Sequence, residues 1–295
     1  MNLSRVLCVF LLVSLTVACD RQPSLSQPAS DLRLVVLGGE LSETVVALGF
    51  EHNLVAVDTT SVWPARLQSL PSVGYLRQLN TEGVLALKPT LILASHEAGP
   101  PEVLEQWRKL GIKVHQIETG PEIATATTAI REVGKLLDES EKAAELVADI
   151  KGDLARLRSL PQPPRILFLL SKTGSQVLVA GTDTKAHTVI TAAGGHNLGA
   201  AFSGYKPVTP EAIVKLAPDF VLLPSHSLQS FGGRDQLLNE PAIRMTPAGR
   251  HDRVVVMDSQ VLLSLGPRLG EGVRELNRHL SSLSSDAVKT ASRTP

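Results

Sequence analysis

The chain has 295 residues, enough for two domains of ordinary size, and 43% of them are hydrophobic. Lysine plus arginine and aspartate plus glutamate balance at 29 each, so no excess of basic charge indicates nucleic-acid binding. Aromatic residues make up only 3% of the chain, which also disfavours a stacking platform for single-stranded nucleic acid.

The first 19 residues have the pattern of a secretory signal peptide. Arg5 is followed by an apolar run over 6–17 and then by a small residue before Cys19. This run is too short to span a bilayer comfortably. Residues 20–31 are rich in Ser, Pro and Gln and predict a tether. The mature protein is therefore expected in the periplasm.

Residues 15–19 resemble a bacterial lipoprotein box in which Cys19 receives the lipid. Thr16 departs from this box, which usually has an aliphatic residue there, and Asp20 resembles the signal that retains lipoproteins in the inner membrane. We expect lipidation of Cys19, with ordinary cleavage to a soluble periplasmic protein as the alternative. After cleavage at most one cysteine remains, so no internal disulfide or cysteine metal cluster is expected.

Strands alternate with predicted helices in two parts of the chain, which we interpret as similar lobes over 32–120 and 164–280. This order predicts mostly parallel sheets covered by helices. Ligands bind such sheets at the carboxyl ends of the strands, and two facing lobes predict a ligand cleft between them. The strand candidates are 32–38, 53–57, 90–94, 113–117, 164–170, 176–180, 219–223 and 253–257.

Residues 121–160 predict linking helices that form a long spine between the lobes. The second helix is expected to begin at Ser140 and to end before Pro161, with apolar residues spaced three or four apart. About twenty helical residues reach about 30 Å, enough to run along both lobes. The tail over 281–295 is mostly Ser, Thr and Ala and is predicted to be disordered.

A repeat supports the two-lobe interpretation. Residues 74–93 and 204–222 both run Gly-Tyr, short loop, Glu, short apolar helix, Pro and apolar strand. Thr81 and Thr209 precede the two predicted helices and are candidate caps. The matching segments predict that both Gly-Tyr loops face the same cleft.

An exported chain with two α/β lobes and a helical spine resembles the helix-linked (class III) periplasmic binding proteins of ABC importers, which carry vitamin B12, ferric siderophores or haem. The run Val-Gly-Tyr-Leu-Arg-Gln-Leu over 73–79 is similar to the haem-binding branch. Further similar runs lie at 82–89, 204–207, 232–234, 246–250 and 265–268. The resemblance implies haem as the transported ligand and an ABC permease with its ATPase subunits as partners. It also implies an outer-membrane haem receptor upstream, with membrane contact only through the lipid anchor.

Tyr75 is the iron ligand that this resemblance implies, with Arg77 and Arg234 close to it. A tyrosine phenolate is a known axial ligand of haem iron. Free tyrosine loses its proton near pH 10, so a neighbouring cation is needed to stabilise the phenolate. The alternative is that Tyr75 packs in its loop with a hydrogen-bonded hydroxyl.

Tyr205 and Lys206 occupy the equivalent loop of the second lobe, where Lys206 is a candidate partner for a haem propionate. The alternative is a solvated lysine beside a structural tyrosine. His187 begins a predicted helix and is a candidate second axial ligand or contact to a second haem, with a packing histidine as the alternative. His96 and His226 lie near strand ends. Whether one or two haems bind stays open.

Glu82 and Glu211 hold matching positions at two predicted helix starts. In the helix-linked periplasmic binding proteins that this chain resembles, one Glu on each lobe docks onto Arg residues of the permease. The resemblance therefore implies Glu82 and Glu211 as the best pair for that role. The alternative is compensation of the helix dipole.

No nucleophile elbow, phosphate-binding loop or paired-histidine zinc motif occurs in the sequence. We therefore expect a binding protein and no enzyme. Two alternatives remain: the same fold carrying a ferric siderophore or corrinoid, and an envelope enzyme acting on a metal-bound cofactor.

Overall fold

Residues 31–291 are described in the computed structural model of the chain, without the side chains of residues 81, 82 and 282–291. The predicted signal peptide, the lipidation site and residues 20–30 of the tether lie outside the described residues. Among those described, no helix combines the length and the apolar character needed to cross a bilayer.

The first lobe is a four-stranded parallel sheet in the order β2-β1-β3-β4. Each strand overlaps a predicted one. Strands β1, β2 and β3 are short apolar runs that are largely buried, as expected in a parallel sheet, whereas the edge strand β4 is mostly exposed. The strands are β1 (Leu34–Leu37), β2 (Leu54–Val57), β3 (Leu91–Ser95) and β4 (Lys113–Ile117). The helices are α1 (Gly39–Ala47), α2 (Thr81–Ala86) and α3 (Pro101–Lys109).

Two helices, α4 (Ile123–Leu136) and α5 (Ser140–Ala155), connect the lobes. The predicted start at Ser140 is confirmed, but α5 has 16 residues and is therefore about 24 Å long, shorter than predicted. The two helices pack closely at Gly134, where an added Cβ would lie 2.3 Å from Ala143 Cβ. This contact requires a glycine.

The second lobe is a mixed six-stranded sheet in the order β10-β9-β5-β6-β8, with β7 beside β5. Strand β6 runs antiparallel to both of its neighbours, β5 and β8. The short strands β7 and β8 were not among the predicted ones. The strands are β5 (Arg165–Thr173), β6 (Gln176–Ala180), β7 (His196–Asn197), β8 (Tyr205–Val208), β9 (Phe220–Pro224) and β10 (Val254–Met257). The helices are α6 (Lys185–Ala192), α7 (Pro210–Leu216), α8 (Arg234–Asn239), α9 (Pro241–Arg244), α10 (Pro247–Arg250), α11 (Ser259–Leu263) and α12 (Leu269–Ala291).

Helix α12 differs from the expectation for the C-terminal tail. It continues through residue 281 to Ala291, whereas the sequence predicts disorder from 281. Extending an established helix adds one hydrogen bond for each residue fixed, so a run of Ser and Ala can prolong it although it would not nucleate a helix alone. Residues 292–295 of the predicted tail lie outside the described residues.

The core on the spine side runs through both lobes. It contains Leu34 and Val36 of β1, the inner faces of α4 and α5, Ile166 and Phe168 of β5, and much of α12. The alternate residues of β1 and β5 face two separate outer cores. One continuous core therefore couples the two sheets.

The cap of α7 is Thr209, as predicted, because its side chain accepts a hydrogen bond from Ala212 N. At α2 the cap is Asn80, which accepts from Gly83 N, while Thr81 is the first helical residue. Asn is at least as strong an N-cap as Thr, so the helix begins one residue after it.

Candidate ligand-binding cleft

A cavity of about 430 Å³ lies between the two sheets. Its first wall is formed by loops that follow β1, β2, β3 and β4, and its second by residues after β6 and by β8. Residues of α1 and the end of α11 also line it. The cavity therefore occupies the predicted position, at the carboxyl ends of the parallel strands.

The first wall carries Tyr75 on a loop whose geometry exposes it. Gly74 has a φ of +87°, a conformation that favours glycine. Leu76 and Leu79 are buried on either side of the turn, and Gly99 N donates to Leu76 O over 2.8 Å. Because the leucines anchor the loop, Tyr75 is left 40% exposed in the cavity.

Tyr205 lies on the second wall and is 36% exposed. Its ring centroid is 6.5 Å from that of Phe168. Burial raises the pKa of Tyr205 to about 12, and the negative charge of Glu97 adds to this rise while Arg77 opposes it. Tyr205 is therefore a neutral hydrogen-bonding group.

Lys206 does not line the cavity. It follows Tyr205 on strand β8, where successive side chains point to opposite faces, so a strand that presents Tyr205 turns Lys206 away. The ammonium instead lies 5.6 Å from the centroid of the Phe202 ring. The structure thus does not bring this predicted propionate partner to the site.

Two ion pairs line the cavity. Arg77 Nη2 lies 2.8 Å from Glu97 Oε1, and Lys185 Nζ lies 3.2 Å from Glu40 Oε1. Partial burial pushes the pKa of Glu97 upward, but the hydrogen bond from Arg77 and the charges of Lys185 and Arg77 hold it below its usual value. The second pair joins α1 of the first lobe to α6 of the second and is largely buried.

The residues Glu40, Glu97 and Lys185 were not among the predicted site residues. A sequence signal for Glu97 exists, because it follows β3 by two residues and polar residues after parallel strands collect at the cleft. No comparable signal reveals that Glu40 and Lys185 meet, since they lie 145 positions apart.

Two further predicted residues lie away from the cavity. His187 Nδ1 is 3.1 Å from Asn197 Nδ2, an amide that also donates to Ala180 O. Arg234 donates to Val254 O over 3.0 Å and to Asp252 Oδ1 over 2.7 Å. Each side chain is satisfied within the second lobe, and neither lines the cavity near Tyr75.

Two histidines noted near strand ends do reach the cleft. His96 lines the tyrosine cavity and accepts a hydrogen bond from Thr119 N. His226 lines a neighbouring cavity of about 710 Å³, which shares Thr60, Leu263 and Ser264 with the first. Burial lowers the pKa of His226. Among the side chains that the structure describes, no cluster of three or more His, Cys, Asp or Glu could hold a bare metal ion.

Beneath the cleft, a second carboxylate of α1 reaches the other lobe. Glu43 is almost fully buried and accepts from Arg268 N over 2.8 Å. The Arg268 guanidinium also lies 4.1 Å from the centroid of the Trp63 ring and 3.4 Å from Asp258. Burial, only partly offset by Arg268, raises the pKa of Glu43 to about 7.

Comparison with known proteins identifies this architecture. The sequence model of the periplasmic binding protein family matches residues 34–261. The uncharacterised ABC transporter substrate-binding lipoprotein YvrC of Bacillus subtilis is 26% identical over 255 residues, which is 83% of this chain and 78% of the relative. The vitamin B12-binding protein of Vibrio parahaemolyticus is 24% identical, over 85% of this chain and 90% of the relative.

Among solved structures, the periplasmic haem-binding protein BhuT in complex with two haems is 40% identical to this chain. The superposition has a TM-score of 0.79 and covers 85% of this chain and 98% of that one. This similarity extends over both lobes.

Proposed function

The chain belongs to the periplasmic binding protein family, and we propose that it captures ferric haem in the inter-lobe cleft and delivers it to an ABC permease. The family and the similar structures are solute-binding proteins, so the enzyme alternative is set aside. Membership also implies a location outside the cytoplasm and a permease with ATPase subunits as partners.

The observation that carries the proposal is the placement of the two tyrosines. The chain contains only these two, and both are exposed on facing walls of one cavity. A phenolate is a hard anionic ligand suited to ferric iron. The similarity to a haem-bound structure at 40% identity supports the same ligand class.

We assign the iron to Tyr75, because Tyr205 has a pKa of about 12 and resists ionisation. Arg77 lies in electrostatic range of both tyrosines. The Tyr205 ring, backed by the buried ring of Phe168, supplies an aromatic wall for the porphyrin plate. His187, Lys206 and Arg234 are not assigned a haem contact, since each lies outside the cavity.

An absorbance titration with hemin tests this function. Wild type should bind saturably with a high-spin ferric spectrum, and Tyr75→Ala should lose that spectrum. Tyr205→Phe is the matched control, because it removes the phenol hydroxyl of the other tyrosine while keeping the ring beside Phe168. Saturable binding that is equal in wild type and Tyr75→Ala would move the iron to another ligand, whereas no binding at all would refute haem as the cargo.

A corrinoid is the second candidate cargo. The vitamin B12-binding relative supports it, as does the neighbouring cavity, whose lining includes the amides of Gln68 and Gln260 and the hydroxyls of Ser225 and Ser259. Such groups suit the amide side chains of a corrinoid better than they suit an apolar plate. Titration with cyanocobalamin beside hemin separates the two cargoes.

Delivery requires docking to the permease, for which we propose Glu82 and Glu211. They are the second residues of α2 and α7, one on each lobe. The side chain of Glu211 is exposed, and hydrogen bonds from its own backbone and from Thr209 lower its pKa, so it stays ionised. Charged surface pairs of this kind direct orientation and association rate more than affinity.

Glu82→Ala combined with Glu211→Ala tests docking. Haem uptake in cells should fall strongly while hemin binding by the purified variant stays unchanged. Uptake at the wild-type level would refute this docking pair.

For anchoring we propose lipidation at Cys19, which the lipoprotein relative supports. Mass spectrometry of the exported protein tests it, because a diacylglyceryl group at an N-terminal Cys19 distinguishes the anchored from the soluble form.

A further inference from the structure

The tyrosine cavity is richer in carboxylates than in cations. Of the described residues that line it, four carry carboxylates and two carry permanent cations: Glu40, Glu97, Glu118 and Asp183 against Arg77 and Lys185. Haem itself carries two propionate carboxylates. Like charges repel within a partly desolvated cavity, so this lining disfavours the propionates.

Each of these two cations already has a carboxylate partner. Lys185 is held by Glu40 at 3.2 Å, with both side chains largely buried. Arg77 is held by Glu97 at 2.8 Å. The remaining two carboxylates add negative charge. Asp183 accepts from the Ser203 hydroxyl, and Glu118 lies 3.6 Å from His96.

The Arg77–Glu97 contact is fixed by the backbone around it. The Tyr75 loop and the loop after β3 are joined by two backbone hydrogen bonds, from Gly99 N to Leu76 O and from Leu79 N to Gly99 O. Glu97 N also donates to Ser95 Oγ. The pair is thus held beside the tyrosine that we assign to the iron.

From this arrangement, and resting on the proposed haem function, we infer that Glu97 determines the orientation of the haem. Because Glu97 pairs with Arg77, the cation beside Tyr75 attracts a propionate less strongly. The iron therefore faces Tyr75, and the propionate edge of the haem stays in the solvent-filled mouth of the cleft. Glu97 acts here through Arg77 and is a positioning residue.

Wild type alone provides the first test, through comparison of hemin with hemin dimethyl ester in the same low-detergent buffer. The ester carries the iron and the plate but no carboxylates. We expect the two dissociation constants to agree within about twofold, because a solvated carboxylate contributes little. A wild-type preference for hemin of tenfold or more would overturn the inference, since it would mean that cations bind the propionates.

Glu97→Gln provides the second test. It is nearly isosteric, and the Glu97 side chain is about one-third exposed, so the fold should be kept. In this variant Arg77 should attract a propionate. The dissociation constant of hemin should then decrease about threefold to fivefold relative to that of the ester, which is the size expected for a partly exposed charge pair. Any effect of the substitution on Tyr75 itself acts on both ligands and cancels in their ratio.

Two further variants separate this role from general electrostatics. Glu118→Gln removes one carboxylate from the same cavity but leaves the Arg77–Glu97 pair in place. It should change the ratio of the hemin and ester dissociation constants by less than half as much as Glu97→Gln does. Glu97→Asp keeps the charge and should restore most of the wild-type ratio. Equal ratios in Glu97→Gln and Glu118→Gln, or an unchanged ratio in Glu97→Gln, would overturn the inference. Failure of wild type to bind either porphyrin would instead refute the proposed function and this inference with it.

Discussion

The buried carboxyl of Glu43 predicts a specific dependence of stability on pH. Burial raises its pKa from the ordinary 4.5 to about 7. Between these values the folded protein keeps a proton on Glu43 that the unfolded chain has lost. The folded state therefore binds more protons, and the free energy of unfolding falls as pH rises through this window.

The size of the effect follows from the shift. One pKa unit corresponds to about 1.4 kcal/mol, so the contribution of Glu43 should decrease by about 2 to 3 kcal/mol between pH 5 and pH 8. Glu43→Gln cannot titrate, yet its side-chain oxygen can still accept from Arg268 N. The stability difference between wild type and Glu43→Gln should thus shift by that amount in favour of the variant.

Urea unfolding followed by circular dichroism at pH 5, 6, 7 and 8 measures this difference. Other titrating groups contribute to both proteins and cancel. Glu51→Gln is the control, because the hydrogen bond from Arg66 lowers the pKa of Glu51 and places its titration below this range. A difference between wild type and Glu43→Gln that is constant from pH 5 to 8 would refute the reasoning.

Three further predictions concern stability. Lys185→Ala leaves the buried Glu40 carboxylate without its partner and should cost about 3 to 5 kcal/mol in urea unfolding, with most of it restored by adding Glu40→Gln. Gly134→Ala places a Cβ 2.3 Å from Ala143 Cβ and should lower the free energy of unfolding by about 1 to 3 kcal/mol. Gly152→Ala is the control, because its Cβ meets the flexible end of Arg156 at 3.8 Å, and it should raise the free energy of unfolding by up to about 1 kcal/mol. Thr209→Ala removes the α7 cap and should speed hydrogen exchange in that helix, at a cost of about 1 kcal/mol. Unchanged exchange would show that packing alone holds α7.

Much of the fold could be predicted because most of its strands are buried apolar runs. All eight predicted strands are present within a few residues of their predicted bounds. Strand β8 is not predicted, because the proline in Tyr-Lys-Pro-Val favours a loop. In the structure β8 lies at the edge of the sheet, where proline is tolerated. That error had a consequence for the site, since a loop permits Lys206 to face the cleft and a strand does not.

The site could be predicted only where the signal was local. Tyr75 with Arg77 lies in one recognisable segment, and the repeat located Tyr205. The partners that set their electrostatics come from distant positions: Glu97 from the loop after β3, and Lys185 from the other lobe. Arg234 was expected near Tyr75 from resemblance alone, but its carbonyl and carboxylate acceptors beside β10 hold it elsewhere.

The connection between the lobes has a consequence for cargo release. Opening the cleft by separating the lobes would break the Lys185–Glu40 and Arg268–Glu43 contacts and would expose part of a core that runs through both sheets. Several kcal/mol oppose such a motion, because the buried groups of both contacts would lose their partners. We therefore expect spontaneous opening to be rare and ligand capture to take place in a cleft that is already formed. Release then requires work from outside the chain, and the permease and ATPase subunits that the family implies are the expected source of that work.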